Sequence, residues 1–343
     1  MTGPPEATAA VRLGVRRALR DLADGELVLA AVSGGADSLA LAAALAFERP
    51  GSGALVVDHG RQPGSAQVAA RAADQCRSLG LTTERLTTER LTTERRTTER
   101  RTTERRTTER RTTERRTTER PHQQEVAGGP EAAARTLRYR LLGEAADRLG
   151  ATAVLLGHTL DDQAETVLLG LARGAGTRSL AGMAAGRGRW RRPLLDVTRG
   201  QTRATCAEAG LEPWDDPHNT DPSYARVRVR GQALPALELA LGPGIAQALA
   251  RTARQAREDA DALDALTPDT DDVAVLAALP PALLARAVKR WAEQACDGAV
   301  TAAHVDALRA LVEAWRGQGP VALPGGVQVG REGGRLRRLP CGR

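Results

Sequence analysis

The sequence predicts an α/β protein: a doubly wound parallel sheet followed by a smaller, mainly helical C-terminal domain. In the first half of the chain, short apolar runs alternate with longer segments of helical periodicity. This is the order that a parallel sheet with helical crossovers requires. The first apolar run also ends in Ser33-Gly34-Gly35, a pattern typical of the junction between a buried strand and a helix.

The elements of the first half are predicted from periodicity and composition. Apolar side chains recur on one helical face over 11–24, and the run 27–32 is predicted as the first buried strand. The next helix is predicted over 39–47. The elements that follow are strand 54–57, helix 66–79, helix 131–149, strand 151–156 and helix 161–173.

Polar, turn-like composition over 214–219 predicts a domain boundary. We therefore predict a catalytic domain over 1–217, and a linker helix with a C-terminal domain over 218–343. In the second domain, His304, Leu308, Leu311, Val312 and Trp315 are spaced for one helical face. Glycine-rich turns between short alternating runs predict a β-hairpin over 321–339.

Residues 81–120 are eight tandem copies of a pentapeptide, three LTTER units followed by five RTTER units. They hold thirteen arginines and eight glutamates, so five of the seven net positive charges of the chain lie in the repeat. The basic balance therefore does not by itself indicate a nucleic-acid partner. The composition predicts a disordered insertion at the place where a third strand is expected. A long charged helix and a nucleic-acid-binding arm are the alternatives.

The composition also argues against several classes of protein. No apolar run reaches about 18 residues, and the first ten residues lack the pattern of a secretion signal. The four cysteines are scattered without a CxxC pair, which argues against a disulfide framework or a zinc site. We therefore expect a cytoplasmic protein without a membrane partner.

The segment Ser33–Ser38, SGGADS, is the strongest candidate for a ligand site. Its two glycines let backbone N–H groups approach phosphate oxygens, and the following helix N-terminus adds donors and partial positive charge. Asp37 would repel phosphates unless a cation intervened, so we predict that it holds Mg²⁺. The segment lacks the GK[ST] of a Walker A loop. An ordinary glycine turn capped by Asp or Ser is the alternative.

His158, Asp162 and Glu165 form a second candidate cluster, with spacings of four and three residues. On a helix beginning near residue 159 they would form one stripe at the carboxyl edge of the sheet, where α/β folds bind ligands. The alternative is that Asp161 and Asp162 only complement the helix dipole, at about 0.3–1 kcal/mol each. With one histidine, the cluster does not fit an HExxH zinc site.

SGGADS resembles the loop of the N-type ATP pyrophosphatases, the PP-loop superfamily with the adenine-nucleotide α-hydrolase fold. Those enzymes cleave ATP to AMP and pyrophosphate while they adenylate a carbonyl oxygen. Further segments resemble the tRNA(Ile)-lysidine synthetase family, over residues 25–80 and 131–235. These segments are DHG at 58–60, GHTLDDQAET at 157–166, RGAG at 173–176, LAGM at 180–183, RPLL at 192–195, and the stretches 214–219 and 224–230.

The resemblance implies a ligase that uses ATP and Mg²⁺. Such an enzyme adenylates C2 of the wobble cytidine in tRNA(Ile) with a CAU anticodon. Free L-lysine then attacks C2, which gives lysidine, AMP and pyrophosphate. The resemblance also implies that 218–343 binds tRNA, and the oligomeric state is left open, with a homodimer as one candidate.

The resemblance further implies roles for individual residues. Asp162 and Glu165 are candidates to bind the lysine ammonium groups or Mg²⁺, and His158 to bind phosphate or orient the nucleotide. Arg138 and Arg230 match family arginines that could neutralise charge on pyrophosphate. The catalytic candidates are Asp37, Arg138, His158, Asp162, Glu165 and Arg230. The ATP-binding candidates are Ser33, Gly34, Gly35, Ala36, Asp37, Ser38, Asp58 and His59.

The sequence departs from the family pattern at one place, and two rival functions are considered. Arg61-Gln62 stands where the family pattern usually has Leu-Arg, which puts the local nucleotide contacts in question. The first rival is another PP-loop enzyme, a tRNA thiolase or an amide-forming synthetase, although an iron–sulfur thiolase would need a CxxC pair. The second is a non-catalytic tRNA-binding relative.

Overall fold

The computed structural model describes residues 3–58, 64–87, 129–174 and 176–339. The chain folds as two compact units, the first formed by 1–175 with 182–253 and the second by 176–181 with 254–343. The first unit continues past the predicted boundary at residue 217 as far as residue 253. The helices that follow the polar segment therefore belong to the first unit. The functional boundary after residue 217 stays a prediction.

The first unit contains the predicted alternation of strands and helices, with two short strands added near residue 190. Its elements are α1 Glu6–Ala18, β1 Val28–Val32, α2 Ala36–Glu48, β2 Gly53–Asp58, α3 Ser65–Ser78, β3 Thr82–Thr87, α4 Gly129–Leu149, β4 Ala153–Leu156, α5 Leu160–Ala172, β5 Gly186–Arg187, β6 Trp190–Arg191, α7 Arg199–Glu208, α8 Ala225–Arg228 and α9 Leu234–Leu241. The short helix α6, Thr177–Leu180, belongs to the second unit, and α10 spans Ile245–Leu266.

The predicted doubly wound sheet is confirmed. Its six strands lie in the order β3-β2-β1-β4-β6-β5, and every neighbouring pair is parallel except β6 with β5. Strands β2 and β3 lie on one side of β1, whereas β4 lies on the other side. The winding therefore reverses between β1 and β4, and a reversal of this kind opens a crevice at the carboxyl ends of the two strands.

Apolar side chains cover both faces of the sheet. On one face Val11 of α1 and Leu45 of α2 pack with Val32 of β1, and on the other Leu142 of α4 packs with Leu55 of β2. All five are at most 2% exposed. Burying a large aliphatic side chain contributes about 1.5–3 kcal/mol, so these contacts hold the strand ends in place.

The edge strand β3 is built from the first two copies of the pentapeptide. Leu81, just before the strand, packs in the apolar cluster on one face of the sheet, and Leu86 packs in the cluster on the other face. Two leucines five residues apart point to opposite faces because side chains alternate along a strand. The predicted disordered insertion is therefore wrong for 82–87. The copies over 88–120 lie outside the described residues.

Helices α8 and α9 are joined without a break by the π-helical turn Val229–Ala233, which contains Arg230. Turns of this kind are rare and often occur at functional sites. Within the described ranges no single helix is long and apolar enough to cross a membrane. The pair Ala225–Leu241 and Ile245–Leu266 reaches the required length and composition together, with a bend of 99°.

The second unit has its own core. Leu284, Leu308, Leu311 and Leu336 are at most 1% exposed. The predicted hairpin over 321–339 is a three-stranded antiparallel sheet. Trp315 was wrongly predicted on the helical face, since the helix ends at Glu313 and Trp315 is 39% exposed. The elements are α11 Val273–Ala277, α12 Pro281–Ala295, α13 Ala302–Glu313, β7 Val321–Leu323, β8 Val327–Glu332 and β9 Arg335–Leu339.

Three cysteines, Cys76, Cys206 and Cys296, are buried as free thiols. Burial raises the pKa of Cys76 and of Cys206 to about 11, so both stay protonated near neutral pH. They have the environment of packed core residues rather than of reactive thiolates. Cys341 lies outside the described residues.

Candidate active site

The loop between β1 and α2 is locked by its own side chains. The Ser38 hydroxyl accepts a hydrogen bond from the Ser33 N–H at 3.1 Å and donates one to the Gly35 carbonyl at 2.9 Å. Gly34 has φ of +89°, a left-handed conformation that favours glycine. Trp214 N–H donates to the Gly34 carbonyl at 2.9 Å. Hydrogen bonds within the loop and the one from Trp214 thus hold its shape, and the first N–H groups of α2 have no acceptor inside the helix.

Gly157, directly after β4, brings the end of that strand against the loop. A Cβ on Gly157 would lie 3.1 Å from the carbonyl carbon and oxygen of Asp37 and 3.2 Å from the Cα of Ser38. A larger residue would push the backbone of α2 away from the strand. The ends of β1 and β4 therefore form one continuous wall at the point where the winding reverses.

A cavity of about 660 Å³ lies at this wall, entirely within the first unit. A volume of this size is usual for small-molecule sites. Of the predicted catalytic residues, Asp37, Arg138, His158, Asp162 and Arg230 line it. The predicted ATP-binding residues that line it are Ser33, Gly35, Ala36, Asp37 and Ser38.

Three predicted residues, Gly34, Asp58 and Glu165, do not line the cavity. Glu165 does not line the cavity and is fully buried behind it. Asp58, at the end of β2, is buried and also lies off the cavity wall. His59 lies outside the described residues, as does the Arg61-Gln62 pair.

Asp37 is held by the first turn of α7. The Thr202 hydroxyl donates a hydrogen bond to Asp37 Oδ1, and Arg199 Nε lies 3.7 Å from Asp37 Oδ2. Burial raises the pKa of Asp37, while the Thr202 hydrogen bond and the Arg199 charge oppose that rise. The sequence interpretation missed both Arg199 and Thr202. Thr198 with Gln201 forms a capping box that marks the start of α7, although it does not show which residues this helix contacts.

Arg199 and Arg230 join three carboxylates into one network. Arg199 Nη2 lies 3.0 Å from Asp162 Oδ1 and 3.5 Å from Glu165 Oε1. Arg230 binds Glu165 through two hydrogen bonds, of 2.7 and 3.2 Å. With all five groups ionised, Asp37 included, the network has a net charge of −1. Of the three carboxylates, Asp37 and Asp162 line the cavity.

The predicted stripe of His158, Asp162 and Glu165 is wrong for His158. Helix α5 begins at Leu160 and Thr159 caps it, so His158 precedes the helix. Asp162 accepts a hydrogen bond from the Thr159 N–H at 2.9 Å, which completes a capping box. Asp162 therefore serves the helix terminus, as the alternative interpretation held, and it also faces Arg199.

His158 is a neutral residue of the cavity wall. Burial lowers its pKa to about 4, and the charge of Asp162 only partly opposes this. Its Nδ1 is buried and has no hydrogen-bond partner among the described residues. At neutral pH the ring is therefore uncharged, and it can donate from one nitrogen and accept at the other.

The polar segment 214–219, predicted as a boundary, is part of the cavity. Trp214, Asp215, Asp216 and Asn219 line it, and Arg203 pairs with Asp215 at 2.7 Å. The segment is polar because it borders a ligand cavity, which explains why its composition looked like a linker. Composition alone does not separate these two cases.

The acidic side chains of the cavity decide whether the predicted Mg²⁺ fits there. No group of three or more acidic, histidine or cysteine side chains that could hold a metal occurs in the described ranges. Mg²⁺ usually takes one or two protein carboxylates together with phosphate oxygens of the substrate. Asp37, the carboxylate of the SGGADS loop, fits such a single protein ligand.

The comparisons with known proteins agree with this geometry. A PP-loop domain model matches residues 10–237, and a TilS substrate binding domain model matches 272–337. The U34-tRNA thiolase NcsA from Methanococcus maripaludis has a similar fold, with a TM-score of 0.53 and 18% identity over 73% of this chain and 79% of that one. The fold and the loop thus define a protein of the PP-loop class.

The relatives narrow the class to one family. A tRNA(Ile)-lysidine synthase from Salinispora arenicola is 49% identical over 98% of both chains, and one from Thermobifida fusca is also 49% identical over 98% of both. The enzyme of that name from Leifsonia xyli is 49% identical over 93% of this chain and 91% of its own. The chain belongs to the tRNA(Ile)-lysidine synthase family, as its sequence motifs predicted.

Proposed function

We propose that this protein uses ATP to convert the wobble cytidine of tRNA(Ile) with a CAU anticodon into lysidine, with free L-lysine as the amine. The observation that carries the proposal is the meeting, at one cavity, of the SGGADS loop and the ion-pair network of Asp37, Asp162, Arg199 and Arg230. The TilS substrate binding match over 272–337 supports a tRNA-binding role for the C-terminal domain. The thiolase alternative loses support because the three described cysteines are buried and apart.

In the first step, the C2 oxygen of the cytidine attacks the α-phosphorus of ATP. A new oxygen–phosphorus bond forms and the bond to pyrophosphate breaks. The N–H groups at the start of α2 and the Ser33 hydroxyl bind the departing phosphates, while the Ser38 hydroxyl holds the shape of the loop. Arg138, exposed on the cavity wall, neutralises charge that develops there. Asp37 would hold Mg²⁺, which when bound supplies further positive charge to the phosphates.

In the second step, the lysine side-chain amine attacks C2. A carbon–nitrogen bond forms, the carbon–oxygen bond breaks, AMP leaves with that oxygen, and the amine releases its proton to solvent water. Asp162, supported by Glu165 behind it, supplies negative charge for an ammonium group of lysine. The pKa of His158, about 4, makes it a weak base near pH 7, so we assign it to orienting the nucleotide.

The proposal is tested by incubating the protein with ATP, labelled lysine and tRNA. We expect label in a tRNA(Ile) with a CAU anticodon, together with AMP and pyrophosphate in equal amounts. A tRNA with a different wobble base is the control and should stay unlabelled. Pyrophosphate release without lysine but dependent on tRNA would support adenylation as the first step. Absence of label in every CAU isoleucine tRNA would rule out the assignment.

Thr202→Val removes the hydroxyl that holds Asp37 while it keeps the shape of the side chain. Pyrophosphate release is expected to fall about 10-fold to 100-fold, because a half-buried carboxylate oxygen loses its donor. Thr202→Ser should recover most of the activity. The matched control is Thr205→Val one turn along α7, whose hydroxyl donates only to the Gln201 carbonyl at 2.9 Å. Equal activity in the Val variants at 202 and 205 would contradict the positioning role.

A further inference from the structure

A second concave surface, here called the arginine pocket, adjoins the catalytic cavity in the first unit. It has a volume of about 890 Å³ and lies between α4 and the β5–β6 hairpin. Its charged and aromatic lining consists of Arg135, Tyr139, Arg187, Arg189, Trp190 and Arg192. Arg135 and Tyr139 also line the catalytic cavity, so the two surfaces are continuous.

The arginine pocket has an excess of positive charge. Four arginines and no carboxylate line it. Arg189 pairs with Asp147 at 2.6 Å, whereas Arg135, Arg187 and Arg192 make no ion pair with any residue in the described part of the chain. Guanidinium groups left without counter-charges attract a polyanion, since neighbouring cations otherwise repel one another.

Two aromatic rings, Tyr139 and Trp190, lie beside the arginines of the pocket. Tyr139 and Trp190 pack edge to face with their ring centres 5.0 Å apart. The Tyr139 hydroxyl accepts hydrogen bonds from Arg192 at 3.2 Å and from Arg135 at 3.3 Å. Arg192 also donates to the Ala184 carbonyl at 2.9 Å, which fixes its guanidinium. Arginines held beside aromatic rings are the usual platform for single-stranded nucleic acid.

We propose that the arginine pocket binds the nucleotide next to the cytidine that is modified, with its phosphate against Arg187 and Arg135 and its base against the Tyr139–Trp190 pair. The inference rests on the proposed function, because it takes RNA as the substrate. A nucleotide delivered into the catalytic cavity stays linked to its neighbour through one phosphodiester. This phosphodiester would pass along Arg135 and Tyr139, the residues that line both surfaces.

The test compares Arg187→Gln with Arg140→Gln. Arg140 lies on α4 outside the pocket and pairs with Glu144 at 3.7 Å, so both variants lose one exposed charge. Affinity for a CAU tRNA is measured over a range of salt concentrations without ATP or lysine. Arg187→Gln should weaken binding about tenfold and reduce the slope of log affinity against log salt by about 0.7. In turnover, KM for tRNA should rise while kcat stays unchanged.

The outcomes separate this inference from the proposed function. Equal tRNA affinity and equal salt slope in the two variants would overturn the arginine pocket as an RNA site. A wild-type protein that forms no lysidine, but whose tRNA affinity depends on Arg187, would overturn the proposed reaction and leave the RNA site standing. Arg187→Lys keeps the charge and should restore the salt slope, which excludes a folding defect as the cause.

Discussion

Asp37→Ala is expected to lower the rate of pyrophosphate release by about 10²–10³-fold and to leave tRNA binding unchanged. Asp37 is the one carboxylate of the SGGADS loop, and Thr202 and Arg199 hold it against the cavity. Its removal takes away the predicted protein ligand for Mg²⁺. It also leaves Arg199, which lines the cavity, with one fewer carboxylate partner. Pyrophosphate release and tRNA affinity are measured on the same preparation.

Asp37→Asn keeps the size of the side chain and should show nearly the full loss, which would identify the charge as the cause. The control is Asp74→Ala on α3, an exposed aspartate that makes a surface pair with Arg77. This variant should behave as wild type. Full activity in Asp37→Ala would remove Asp37 from the mechanism.

Arg230→Ala is expected to reduce the free energy of unfolding by about 3 kcal/mol, because it leaves the buried Glu165 without its main partner. Arg230 makes two hydrogen bonds to Glu165, which is fully buried, while Arg199 approaches the same carboxylate only to 3.5 Å. Activity should fall as well, since Glu165 would shift toward Arg199 and disturb Asp162. Urea unfolding measures the stability, and labelled lysine measures the activity.

The double variant Glu165→Gln with Arg230→Ala should be more stable than Arg230→Ala alone, because the unpaired charge has been removed. Arg226→Ala is the matched control on α8. Arg226 donates to the Thr166 hydroxyl at 3.1 Å, a neutral partner, so its loss should cost about 1 kcal/mol. If Arg230→Ala unfolds at the same urea concentration as Arg226→Ala, the ion pair does not stabilise the fold.

The sequence predicted the sheet and the loop because the signals for both are local. The apolar runs and the SGGADS segment need only a few adjacent residues to be recognised. Arg199 and Thr202 were missed because their role depends on a contact between positions far apart: Thr202 lies 165 residues from Asp37. Nothing near α7 in the sequence shows that its first turn faces the loop after β1.

The residues of strand β3 were predicted as disordered for a different reason, although a third strand was expected at that place. A strand with one polar face shows alternating hydrophobicity, whereas Leu81, just before β3, and Leu86 within it lie on opposite faces of the sheet at a spacing of five. With threonine, glutamate and arginine between them, this spacing matches neither the helical nor the strand period. The same mixture of charged residues suggested disorder, although the two leucines are 3% and 5% exposed.

The construction of β3 from repeated units also has a genetic consequence. Each unit is a whole number of codons, so the gain or loss of a unit preserves the reading frame. Changes among the copies after Thr87 leave the residues of β3 as they are, with Leu81 and Leu86 still in their clusters. Each RTTER unit has two arginines and one glutamate, so every copy gained adds one positive charge. A change in copy number would thus alter the charge of the chain while the residues of β3 stayed the same.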